Sequence, residues 1–129
     1  MEDVSFSYRA KEEIISKINS KPKADVCIMG MLMYCNCLSD DEISFLTENK
    51  AVADFFVLNT GRITGNENAV LVTEQKKRNG VVLYALDIPE REDRLTLLDY
   101  FRMDKSRRLE EADLPKEKFY PQLVAGIFL

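Results

Sequence analysis

At 129 residues, 46% of them hydrophobic and 31% charged, the chain suffices for one domain burying about two-thirds of its unfolded surface, and disorder is not the default reading. A net charge of −4 provides no global basic field, so any nucleic-acid contact has to come from local patches. The acidic opening Met1-Glu2-Asp3 is not a secretory signal, and the longest apolar run, Val26 to Leu38, is too short to cross a bilayer. Its three cysteines, Cys27, Cys35 and Cys37, fit reduced thiols in the cytoplasm better than a disulfide framework.

Ala10, Ile14 and Ile18 share one helical face and predict a first helix over Arg9–Asn19, ended by Ser20-Lys21-Pro22. Ala24–Leu38 reads as a second helix, apolar nearly all round and therefore buried between partners. Gly30 in its middle costs roughly 1 kcal/mol relative to Ala unless close backbone packing needs the space. After Ser39-Asp40-Asp41, the alternation of Glu42–Thr47 predicts a strand with Ile43 and Phe45 on one side. Asn49 can cap a third helix through Asn59, with Val52, Phe55, Phe56 and Asn59 on one stripe. Thr60–Asn68, rich in Gly, Asn and Thr, reads as a loop. Ala69–Gln75 and Val81–Ile88 are strands joined through Asn79-Gly80, a strong hairpin signal. Pro89 opens a fourth helix with Leu95, Leu98 and Phe101 facing inward. Arg102–Lys118 is dense in both charges and reads as a solvated connection. The chain turns apolar again from Phe119, and Val124–Leu129 repeats the character of Ile28–Met33, with glycine third in each.

There is no histidine, which removes Ser-His-Asp and Cys-His catalysis and most catalytic zinc sites. Cys35 and Cys37 on a helix would point to opposite sides and could not chelate one ion, so the thiols read as structural. The acidic run around Asp41 reads as a turn rather than a Mg²⁺ site. Thr60-Gly61-Arg62-Ile63-Thr64-Gly65 lacks the strand and helix that frame a phosphate loop. No metal and no cofactor is expected. Two basic groups could touch DNA phosphates: Lys76, Lys77 and Arg78 at the hairpin tip, and Lys105, Arg107 and Arg108 after the fourth helix.

Ser5-Phe6-Ser7 followed by Lys11-Glu12-Glu13-Ile14 resembles the opening signature of the WhiA family of bacterial sporulation transcription regulators. Ile28–Asn36 is similar to the LAGLIDADG-type helix that follows in that family, Leu46–Ala53 to its strand end and next helix, and Phe119–Leu129 to the start of its second LAGLIDADG helix. The resemblance spans nearly the whole chain. It implies an α+β fold: a homing-endonuclease-like half-domain, its antiparallel sheet covered by helices on one face and cut off in the second LAGLIDADG helix. Residues 1–23 would form an N-terminal helix and linker, 24–118 an αβαββα unit, and 119–129 the start of the second repeat. Gly30, Met33, Tyr34 and Gly126 would then pack the two Gly-centred helices together, or serve as a dimer interface.

In active nucleases of this type an acid near the end of each helix holds the metal; the matching position here is Cys35, so cleavage is not expected. The expected function is a non-catalytic domain of a cytoplasmic, DNA-associated transcription regulator. Its partner would be duplex DNA, gripped together with a helix-turn-helix domain that the family carries further on and this chain lacks. The alternative is a protein-interaction or dimerisation module without direct DNA contact, in which the chain forms a homodimer. No membrane contact is expected.

Overall fold

A computed structural model describes residues 6–33, 35, 37–39, 41–101 and 126–127. The first helix, α1, covers Phe6–Ser16, ending three residues before the predicted Asn19, and tightens at its end where Lys17 and Ile18 donate to Ile14 and Ile15. Pro22 does not terminate it. It lies instead in the first turn of α2, Lys21–Met33, where a missing N–H costs nothing. Ser20 caps α2: its carbonyl accepts from Ala24 N–H at 3.0 Å, and its Oγ from Lys23 N–H at 3.4 Å. The central unit thus starts at Lys21, inside the span expected to be linker.

Helix α2 stops at Met33 rather than Leu38, and the last two residues of the apolar run form strand β1, Cys37–Leu38. Ser39 closes the turn that follows. Its N–H donates to the Glu42 carbonyl at 2.8 Å, and its Oγ accepts from Asp41 and Glu42 N–H. Strand β2, Ile43–Thr47, buries Ile43, Phe45 and Thr47 and leaves Leu46 outward, the period-2 pattern of a half-covered strand. Helix α3, Lys50–Thr64, is capped by Asn49, whose side chain accepts from Ala51 and Val52 N–H. Asn49 Nδ2 also donates to the Tyr8 carbonyl at 3.0 Å, tying α1 to the start of α3.

The loop expected from Thr60 is helical for five more residues and ends at Gly65, in the left-handed region with φ 75°. Gly61 misleads because it is there for packing: a Cβ would sit 3.2 Å from Glu67 Cα and 3.3 Å from the Asn66 carbonyl oxygen. The returning chain presses on the helix at that point. Strands β3, Leu71–Lys76, and β4, Val82–Asp87, form the hairpin. Gly80 N–H donates to Lys77 C=O and Lys77 N–H to Val81 C=O, with Gly80 at φ 82°. This is a three-residue loop with glycine at its left-handed position. Helix α4 spans Arg91–Phe101 and buries Leu97, Leu98 and Phe101. Leu95, expected inward, is 42% exposed; Leu97 takes its place.

The central order is therefore αββαββα, with β1 added to the predicted αβαββα. The fold is α+β, a four-stranded antiparallel sheet in the order β1-β2-β4-β3. Helix α3 packs on the inner face of β2 and β4 and touches α1, α2 and α4. Phe45 and Phe56 stack there with ring centres 5.6 Å apart. The core joins them to Cys27, Ile28, Met31, Leu32, Ile43, Val52, Leu86 and Leu97. No helix among the described residues is long and apolar enough to cross a membrane.

Candidate functional site

The hairpin turn fixes where the basic tip points. Lys76 closes the ladder opposite Val82, and Lys77 and Arg78 lead into the turn held by Gly80. All three are exposed, and none is in an ion pair among the described residues. They are positioned as free cations at one end of the sheet. The outer sheet face beside them is different. Register and alternation place Ser44, Leu46, Leu71, Thr73, Gln75, Leu83, Ala85 and Asp87 on it. Among the described residues these strands place no cation and one carboxylate there, so their favourable phosphate contact is confined to the tip and rim. Lys105, Arg107 and Arg108 lie outside the described residues.

Of the four expected helix-packing residues, the structure brings Gly30 and Gly126 together. A Cβ on Gly126 would collide with the Cys27 carbonyl oxygen and lie 3.0 Å from Gly30 Cα. Two helical segments thus meet at backbone contact, and only glycine at 126 allows that approach. Met33 is half-buried at the end of α2; Tyr34 lies outside the described residues.

Cys35 follows the end of α2, its N–H 3.4 Å from the Leu32 carbonyl, and its side chain is 2% exposed. A buried thiol there is not the carboxylate that a hard metal ion takes. Neither Cys35 nor Cys37 is helical, so the expectation that a helix separates them does not apply. Cys27 is fully buried, and burial pushes its thiol up to about 12, far from the thiolate a nucleophile needs. Among the described residues no group of three His, Cys, Asp or Glu could hold a metal ion.

Sequence reasoning missed a polar clamp between three helices. Asp25 of α2 forms an ion pair with Arg62 of α3 and accepts from the Tyr100 hydroxyl of α4. Arg62 also donates to Asn59 Oδ1 at 3.1 Å, and Asn59 Nδ2 to the Phe55 carbonyl at 2.9 Å. The hydrogen bond to Asp25, then partial burial and the Asp25 charge, raise the Tyr100 hydroxyl above the ordinary tyrosine range. The available signal was Asp25 itself, the lone acid in an apolar helix, which needs a partner once that helix is buried. Arg62 was hidden by its assignment to a loop. The outer side of α3 and the 65–68 turn also frame an open groove lined by Asp54, Val57, Leu58, Gly61 and Glu67.

Comparison with family models, with curated proteins and with solved structures gives no match.

Proposed function

We propose that the chain is a non-catalytic, DNA-associated domain of a bacterial transcription regulator of the WhiA type, working in the cytoplasm. The observation that carries this reading is the close approach of Gly126 to Cys27 and Gly30, within an αββαββα order whose sheet runs β1-β2-β4-β3. Backbone contact between α2 at Gly30 and the helical residues at Gly126 is what the LAGLIDADG resemblance calls for. The buried thiol of Cys35 at the position of the metal-binding acid supports a domain without cleavage activity. DNA would be touched by Lys76, Lys77 and Arg78, with most of the grip coming from a helix-turn-helix domain elsewhere in such a regulator.

The test is fluorescence anisotropy of a labelled duplex of about 25 base pairs across a salt series. Binding is expected at low salt, with log affinity falling linearly with log salt. The triple variant K76Q/K77Q/R78Q should weaken it on every sequence and flatten the slope by about 0.9 for each phosphate no longer neutralised. No binding at the lowest salt, or a slope untouched by the triple variant, overturns the assignment of the tip. A second reading, a protein-interaction module, is favoured by the outer sheet face, which carries no cation among the described residues and where Leu46 and Leu71 are 43% and 56% exposed. It predicts no salt-dependent DNA binding at all.

A further inference from the structure

Strand β3 forms one edge of the sheet, and all six of its residues are exposed. Leu71 and Val72 keep 56% and 42% of their surface, a large apolar allowance for an open edge. The hairpin bonds set the phase of the free edge. Lys77 N–H donates to Val81 C=O at 2.8 Å, so the backbone groups of Gln75 and Thr73 also turn toward β4. Those of Val72, Glu74 and Lys76 turn away from the sheet, where they are open to another strand. Neither Glu74 nor Lys76 is in an ion pair among the described residues.

We propose that β3 is a homotypic docking edge on which a second copy of this chain pairs its own β3 antiparallel, about a two-fold axis at Gln75. An in-phase pairing must set outward-facing residues opposite one another. Centred on Glu74, it would place that carboxylate against its own copy, which is destabilising. Centred on Thr73, it sets Val72 against Glu74 and no opposite charges meet. Centred on Gln75, it sets Glu74 opposite Lys76 of the second copy, and by symmetry does so twice. The charge pattern therefore selects one register. The pairing is short, so the dimer is a weak one. It goes beyond the DNA reading and does not depend on it, because association is read here without DNA.

Sedimentation velocity on the full 129-residue chain, from micromolar to about millimolar, should show a reversible monomer–dimer equilibrium. E74P deletes an outward N–H and none of the bonds to β4, and should raise the dimer Kd at least about tenfold. E74K and K76E each put like charges across the axis and should raise it about tenfold, while the double swap E74K/K76E returns it to within about threefold of the parent. Circular dichroism on each variant checks that the fold is kept. A chain monomeric throughout the range, a dimer indifferent to E74P, or a double swap as weak as the single variants would overturn the proposal.

Discussion

Gly126→Ala offers a test in which the sign alone decides. In a helix that touches nothing, Gly→Ala stabilises by up to about 1 kcal/mol, through better propensity and a less free unfolded chain. At Gly126 the added methyl would meet the Cys27 carbonyl oxygen and lie 3.0 Å from Gly30 Cα. Both obstacles are backbone inside a helix and cannot swing aside as a side-chain tip could. The segment must move away from α2, loosening its contact with that helix at Cys27 and Gly30. Overpacking of this kind costs about 1–3 kcal/mol. Set against the propensity gain, the net loss is about 1–2 kcal/mol, or roughly 3–10 °C in Tm for a chain of this size. Thermal and urea unfolding followed by circular dichroism reads it directly. A variant as stable as the parent, or more so, would refute the helix contact and remove the main support for the proposed family resemblance.

Asn49→Ala should cost about 1–2 kcal/mol, because one side chain both caps α3 and holds the Tyr8 carbonyl; urea midpoints read the loss, and Asn49→Asp should restore only the cap. Asp25→Ala should cost about 1–3 kcal/mol by leaving Arg62, only 28% exposed in its side chain, without its carboxylate. A double-mutant cycle with Tyr100→Phe should show coupling of about 0.5 kcal/mol or more, and simple additivity would mean the three groups do not act as one clamp. Stability should also fall in alkali. Tyr100 and Cys27 bind their protons more tightly folded than unfolded, so their contributions are whole below the unfolded values of about 10 and 8.5. They fade as pH rises through the raised folded values, about 12 for Cys27. Urea titrations at increasing pH should show the decline, with Tyr100→Phe and Cys27→Ala each making it shallower; unchanged slopes would contradict the assignment.

Much of the scaffold was legible because its signals are local. Asn49 caps where a capping residue should, Ile43 and Phe45 alternate inward, and Asn79-Gly80 closes a hairpin, since each feature needs only a few neighbouring residues. The run from Ala24 to Leu38 resisted for the opposite reason. A helix buried on all sides and a short buried strand share the same apolar composition, and no periodicity marks Met33 as the last helical residue. Leu97 rather than Leu95 faces inward in α4, because its inward stripe is set by where α3 lies, which the α4 sequence does not encode.

The glycines show where local reading stops. Gly61 argued for a loop, yet it lies inside α3 and makes room for Asn66 and Glu67, a contact that only the returning chain creates. Gly30 and Gly126 argued for close packing through their repeated apolar setting, and in the structure they lie against one another. The residue type is the same; the difference lies in whether a second copy of the pattern was there to compare. The clamp of Asp25, Arg62 and Tyr100 had no such echo. Its members come from three helices, and each alone has an ordinary explanation as a surface charge or a helix-end aromatic. Only packing α2, α3 and α4 together brings the carboxylate within reach of both donors, so this part of the site had to come from the fold.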